Sequence, residues 1–466
     1  MEENEQLKIQ EAGTEAEEQQ VGLRDEFIQE ISGLLGADNT DRVQELCREL
    51  PAADAGELIV KLDSDRRHKL VEMLENELNP ETFSYLDREI LNDLLEHMSA
   101  RHIASIVNKL DSDDAIHLIA HLDEERRGDI MRHLNRNLRA AVEEGLTYPE
   151  GSAGRLMQRE FVAIPQFWTV GKTVDYLRAA ASTMPEKFYN IFIVDPMHRF
   201  VGAVALSNVL CAQRSVKIDT LVGEEHITVP VTMDQGQAAL LFSRKDLLSA
   251  PVIDEDERLI GVLTVDDIVD VIHAEAEKDF LNISGVGGSD IHSSIIATAN
   301  SRFFWLAVNL LTAIAASLVI SVFEDTIARI AVLAVLMPIV ASMGGNAGTQ
   351  TLAVAVRALA TKDLSSANSL RVIQKEVIVA LINGILFALI MGTVVFLWFH
   401  NPKLGMIIGA AMVMNLIAAG FSGALIPIIM ERMGHDPAQS AVVFLTTVTD
   451  IVGFFSFLGL ASWLMV

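Results

Sequence analysis

The sequence predicts an α-helical membrane protein with five transmembrane helices per chain, preceded by a cytosolic α-helical repeat domain and an α/β tandem module. Three observations predict it. Five long apolar runs fill the chain after residue 300. Leucine-like residues recur every 12 positions over residues 50–134. A strand, turn, strand, helix pattern then occurs twice at an offset of 59. A length of 466 residues accommodates about three domains.

Charge separates the two ends of the chain. The net charge is −27, and from Ser301 onward eight Lys/Arg stand against seven Asp/Glu. That part carries +1, so the first 300 residues carry −28. So acidic a surface disfavours nucleic acid as a partner and favours divalent cations. Residues 1–24 open with MEENEQLKIQEAGTEAEEQQ, which is acidic and lacks an apolar core. They read as a disordered acidic tail and not as a signal peptide. Cys47 and Cys211 stand apart without a metal spacing and read as reduced cytosolic thiols.

Residues 25–147 read as a helical superhelix. Leu50, Leu62, Leu74, Leu86, Met98, Leu110, Leu122 and Leu134 fall on the 12-residue period. A second series runs Leu58, Leu70, Leu94, Ile106, Leu118, Ile130 and is broken only by Thr82. A third runs Ile59, Val71, Phe83, Leu95, Val107, Ile119, Met131. Between them, LDSD, LDRE, LDSD and LDEE look like helix starts with Asp or Ser at the N-cap. Short helices of this kind cannot bury their apolar faces alone and therefore stack.

Residues 148–272 hold the second repeat. VDPMHRFVGAVALSNVL (194–210) aligns with IDEDERLIGVLTVDDIV (253–269), matching Asp195, Arg199, Gly202 and Leu206 to Asp254, Arg258, Gly261 and Val265. This resembles tandem CBS domains, which are regulatory in most settings. In such modules a Ser/Thr-x-x-Asp step contacts adenosine ribose, and Thr264 and Asp267 fit it. Their first-repeat equivalents, Ala205 and Asn208, do not, so the expectation of bound ATP rests on Thr264 and Asp267 alone. Residues 273–300 continue as an acidic connecting helix and a Gly/Ser linker (284–294). The stretch VDDIVDVIHAEAEKDFLNISG carries Asp267, Asp270, Glu275, Glu277 and Asp279, and its place between a regulatory module and a membrane domain suits it to transmit movement.

Residues 301–466 are the transmembrane domain. The spans are 303–323, 330–356, 377–399, 404–430 and 438–465, each with the ~20 apolar residues that a bilayer requires. The second loop holds Arg357, Lys362, Arg371 and Lys375, whereas the first sets Glu324 and Asp325 against Arg329 and the third has only Lys403. The positive-inside rule then puts the second loop and the large N-terminal half in the cytoplasm, and Val466 outside, in the cell (inner) membrane.

Asp450, in FLTTVTDIVGFF, is the one Asp, Glu, Lys or Arg inside any of these spans. A charge at mid-membrane costs about 3 kcal/mol or more, so such residues face a water-filled path or a partner. Thr446 lies one turn before it and Gly453 one turn after. The other spans carry Asn309, Asn346, Asn383 and Asn415. Gly345 and Gly348 beside Asn346 read in two ways, as close backbone approach to an ion path or as close helix packing. Mg2+ is hard, keeps its waters and is held by one or two carboxylates. One Asp per chain suits it if two chains meet on a twofold axis. A soft transition metal would call for Cys or His, but no Cys lies in a span, and His400 and His435 fall in loops.

The order of these parts resembles the MgtE magnesium channels. YPEGSAGRLM (148–157), MGGNAGTQTLAVAVRALAT (343–361), GHDPA (434–438) and TTVTDIVGFFSF (446–457) look like stretches of that family. The resemblance implies a homodimeric Mg2+ channel that is gated by cytosolic Mg2+, and not an enzyme. Its pore aspartate matches Asp450 and its second-span signature matches Gly345, Asn346 and Gly348; Thr446, by its spacing from Asp450, and Asn415 are read along the same ion path. Regulatory Mg2+ is implied at Glu81, Asp113, Asp234, Asp246, Asp267, Asp270 and Glu275. Bound there, it would bridge facing carboxylates and draw the connecting helices over the pore. Gly236 and Lys278 depart from the family, which leads one to expect further carboxylates near them. A rival reading is a carrier that couples Mg2+ or another divalent ion to Na+ or H+. A membrane metalloprotease would need HExxH on a span, and the sequence has none.

Overall fold

The computed structural model describes residues 22–74, 77–185, 187–223, 227–283, 295–364, 368–434 and 437–465. Most of the acidic tail, the 284–294 linker and His435 lie outside the described residues. The chain forms two compact units, Met1–Ile272 and His273–Val466.

Among the described residues, the first unit opens with nine short helices: α1 (Asp25–Gly36), α2 (Thr40–Cys47), α3 (Ala52–Lys61), α4 (Ser64–Leu74), α5 (Arg88–His97), α6 (Ala100–Val107), α7 (Ser112–Ala120), α8 (Glu124–Met131) and α9 (Arg136–Gly145). The 12-residue period is the length of one helix plus its turn. The second and third series are buried throughout, from Leu58 and Ile59 to Ile130 and Met131. Asp87, Asp111 and Asp123 stand at the N-caps of α5, α7 and α8, and Asp123 accepts the Arg126 N–H at 2.8 Å. Thr82 breaks the series where the chain makes a 3-10 turn, Pro80–Tyr85, in place of an α-helix.

Two three-stranded sheets follow. A short helix, α10 (Ala153–Leu156), leads to β1 (Ala163–Pro165), α11 (Val170–Ala179), β2 (Asn190–Val194), β3 (Phe200–Ala205) and α12 (Leu206–Cys211). The second half repeats this as β4 (Val229–Pro230), α13 (Gln235–Lys245), β5 (Ser249–Ile253), β6 (Leu259–Thr264) and α14 (Val265–Ile283). Strand orders are β1-β2-β3 and β4-β5-β6. The first pair of each sheet is parallel and the second antiparallel, with a bulge at Ile193/Val194 and again at Val252/Ile253. The turns match as well. Asp195 Oδ1 accepts from Met197 and Arg199 N–H, and Asp254 Oδ1 from Asp256 and Arg258 N–H. His198 and Glu257 both adopt positive φ, 65° and 63°.

The second unit contains α15 (Ile295–Val322), α16 (Glu324–Arg329), α17 (Val332–Ala360), α18 (Ser369–Phe399), α19 (Pro402–Arg432) and α20 (Pro437–Met465). All but α16 are long and apolar enough to cross a membrane. The helices outrun the spans read from hydropathy. Arg357 lies in the last turn of α17, and Arg371 and Lys375 in the first two turns of α18. Those basic residues are therefore helix ends and not loop. α19 is the hub of the bundle: it packs on α17, α18 and α20 and is buried along most of its length. Small residues allow this approach. A Cβ at Gly423 would lie 2.8 Å from the Gly348 carbonyl oxygen, which is why small residues mark helix contacts in lipid.

Candidate cation sites

The membrane site is built around α20. Asp450 and Thr446 are half-buried on it. Helical spacing puts Gly453 on the same side, one turn further on. Gly453 abuts α19: a Cβ there would lie 2.8 Å from Asn415 Nδ2. Asn415 is buried (1% exposed) and its Nδ2–H donates to the Val340 carbonyl of α17 at 2.8 Å. A side chain on Gly344 of α17 would collide with the same amide. Three helices thus close on one asparagine, whose Oδ1 is buried without a hydrogen-bond partner. Leaving such an oxygen unmatched costs about 1–3 kcal/mol.

The glycine-rich stretch that opens toward this site is wholly helical. Gly344 and Gly348 face the bundle, and a Cβ on Gly348 would press on Leu445 at 2.8 Å. Gly345 has open space beside it, and Asn346 and Gln350 are exposed on the single chain. The spacing of the glycines therefore separates two faces, one for packing and one left polar. Glu376 is a residue that hydropathy reading places outside the spans. On α18 it accepts the Thr351 hydroxyl at 3.4 Å.

Several of the candidate regulatory residues converge at the start of α7. Ser112, fully buried at the start of α7, donates its hydroxyl to Glu160 at 2.8 Å and accepts the Arg159 N–H at 2.8 Å. This contact fixes the first turn of α7 against the α/β module. Next to it, Asp113 hydrogen-bonds Asp267 of α14. The Thr264 hydroxyl donates to Asp267 Oδ2 at 2.5 Å, and Gln158 Nε2 to Thr264 at 3.2 Å. Burial, opposed by the Thr264 bond and joined by repulsion from Asp266 and Asp114, pushes Asp267 up to about 7. Burial and the charge of Asp267 hold Asp113 well above the carboxylate range. Asp114 is pushed up to about 6 by burial, with Asp111, Glu81 and Asp266 adding to it. Asp270 and Glu81 both act on Tyr85, whose pKa is raised chiefly by burial.

Asp113 and Asp267 thus meet directly, Glu81 acts on Asp114 beside them, and Asp270 is felt together with Glu81 at Tyr85. Asp114 and Asp266 join them, and the sequence reading had missed both. Asp113 Oδ1 is buried with no hydrogen-bond partner. Crowded carboxyls that retain protons, with one orphaned oxygen among them, are a donor set suited to a hard, oxygen-seeking dication.

Asp234 caps α13, accepting Gly236 and Gln237 N–H at 3.0 and 3.2 Å. Asp246 is the left-handed residue that ends the same helix, φ 51°. At 1.5 Å per residue the two are about 18 Å apart. Lys278 reaches Glu275 at 3.4 Å, so one departure from the expected acidic pattern sets a cation beside a candidate sensor.

Five long apolar helices, together with an α/β pair and an acidic helical domain, define a multi-pass membrane protein of the cation-transport class. Family models agree with this. A divalent cation transporter model matches residues 337–460, an MgtE intracellular N domain model residues 50–151, and a CBS domain model residues 219–274. The magnesium transporter MgtE of Enterococcus faecalis is 35% identical over 70% of this chain and 71% of its own. That of Thermus thermophilus is 32% identical over 70% and 73%. A crystal structure of the cytosolic domain of the Mg2+ channel MgtE in complex with ATP is 27% identical, covering 52% of this chain and 99% of that one, at a TM-score of 0.49. The chain belongs to the MgtE family of magnesium transporters.

Proposed function

We propose that this protein carries Mg2+ into the cell through a path lined by Asp450 at the axis of a homodimer. The observation that carries the reading is the carboxylate of α20, one turn from Gly453, which abuts the Asn415 amide whose oxygen has no partner. A hydrated dication would be held through its waters by Asp450, with Thr446 and Asn415 offering neutral oxygens. The exposed amides of Asn346 and Gln350, with Gly345 between the two faces, support a second chain or water covering this side of α17. Bare lipid would leave those amides unsatisfied. Gly348 then serves by packing, setting α17 against α20. The basic helix ends at Arg357, Arg371 and Lys375 support a cytoplasmic N-terminal half and an external C-terminal end.

In the cytosol, Glu81, Asp113, Asp267 and Asp270, with Asp114 and Asp266, would hold regulatory Mg2+. Bound there, it supplies the positive charge that protons supply otherwise. Ionised and bare, the carboxylates repel and loosen α7 from α14. Asp234 and Asp246 are too far apart to share an ion within one chain. In a twofold dimer each can face the other's counterpart. Gating requires that the closed state bind Mg2+ more tightly than the open one. Thr264 and Asp267 are occupied with each other and with Asp113, so ATP at that step would compete with the cluster.

Mg2+ uptake into proteoliposomes tests the reading. Wild type should take up Mg2+ with no imposed Na+ or pH gradient, and Asp450→Ala should not. Uptake that requires either gradient would identify a coupled carrier, and unchanged uptake in the variant would remove Asp450 from the path.

A further inference from the structure

We propose that His68, Asp93 and His97 form a Zn2+ site in the helical domain, separate from the oxygen-only cluster. His68 comes from α4, and α5 supplies Asp93 and His97 at i and i+4, on one face. One ligand atom from each lies within 4.8 Å of the others. The His68 Nε2 to Asp93 Oδ2 distance is 3.6 Å, and the two imidazole rings meet edge to face with centroids 4.3 Å apart. Tetrahedral zinc with bonds of 2.0–2.2 Å sets its ligands about 3.4 Å apart. The His68–Asp93 pair is already there, and a small rotation of the exposed His97 closes the rest.

The surroundings fit a metal ligand set. His68 Nδ1 faces the Ser64 carbonyl at 2.7 Å, and His97 Nδ1 faces the Asp93 carbonyl at 2.8 Å. A carbonyl only accepts, so a neutral ring with its proton on Nδ1 leaves Nε2 free to bind a metal; for His68 the Asp93 carbonyl, 3.2 Å from Nε2, competes for a proton there. Metal-bound histidines are held in just this way, with the second ring nitrogen donating to a fixed acceptor. The Ser64 hydroxyl donates to Asp93 Oδ2 at 3.1 Å, and Arg67 stands 3.6 Å from the same oxygen. Both hold the carboxylate in place. His68 and Asp93 side chains are 25% and 34% exposed, which leaves an entry path and a fourth position for water. Two imidazoles and one carboxylate favour Zn2+; Mg2+ prefers oxygen throughout.

None of the three residues belongs to the apolar series that build the repeat, so packing does not explain their convergence. The rival occupant is a proton. His68 Nε2 lies 3.2 Å from the Asp93 carbonyl oxygen, and an imidazolium there would satisfy both that oxygen and the carboxylate. A bound zinc would pin α4 to α5 across the segment that carries Glu81.

The test uses the full-length protein in detergent, stripped with EDTA, dialysed against micromolar Zn2+ and analysed for metal by mass spectrometry. Wild type should hold one Zn2+ per chain, unaffected by 10 mM Mg2+. Affinity should fall at least about 100-fold in His68→Gln and in His97→Gln. Elution from size-exclusion chromatography in detergent should be unchanged in both variants and shows that they fold. Zinc below one per chain, zinc retained by the variants, or its displacement by Mg2+ would overturn the assignment.

Discussion

The acidic cluster of the first unit and the aspartate of the second use the same side chain in opposite ways. Around Asp113 and Asp267, several carboxyls crowd together, keep protons near neutrality and leave one oxygen unmatched. Asp450 stands singly on α20, with Thr446 one turn before it and, one turn after it, Gly453 against the Asn415 amide. A crowded site holds a dication and responds to its concentration. A sparse one binds weakly enough to release it, as conduction requires. On this account, charge density distinguishes a sensor from a path.

The comparison is broken most severely at the helix contacts that place the sparse site. Gly344→Leu would drive a side chain into Asn415, and overpacking costs typically 1–3 kcal/mol. We expect loss of folded protein, read by size-exclusion chromatography in detergent. Asn415→Leu removes the Val340 hydrogen bond and the unmatched oxygen together, so the fold should survive while Mg2+ uptake in liposomes falls by tenfold or more.

Next in size is the crowded site. Asp267→Asn should keep the Thr264 contact but lower Mg2+ affinity, moving the midpoint of Mg2+-dependent protease protection upward about tenfold. The pH dependence has a definite sign. Asp267 and Asp114 titrate at about 7 and about 6, above the ~4 of an unfolded chain. Between those values the native state holds more protons, so without Mg2+ thermal stability should fall as pH rises from 5 to 8. Added Mg2+ should restore more stability at pH 8 than at pH 5.5. The smallest effect is expected at Lys278, whose ammonium lies beside Glu275. Lys278→Asp should lower the closing Mg2+ concentration by a few-fold, read as uptake at graded internal Mg2+.

Much of this was legible in the sequence. The 12-residue period located the core of the helical domain, and Thr82, its one break, marks the 3-10 turn. The 59-residue offset carried over to the bulges and left-handed turns. Hydropathy found five helices but not their ends, because Arg357, Arg371 and Lys375 continue helices into polar surroundings. The contact of Asn415 with Gly344 and Gly453 was illegible, since three helices far apart in sequence create it. Asp114 and Asp266 were missed for the same reason. Each sits beside a residue singled out for its acidity, and only the packing of α7 on α14 makes them neighbours.

The central claim is that Asp450 borders water between subunits. Accessibility of Asp450→Cys to a charged, membrane-impermeant thiol reagent, in full-length protein carrying Cys47→Ser and Cys211→Ser, tests it most directly. The account predicts rapid modification that millimolar Mg2+ slows. A thiol that reacts only with lipid-soluble reagents, at a rate indifferent to Mg2+, would contradict it.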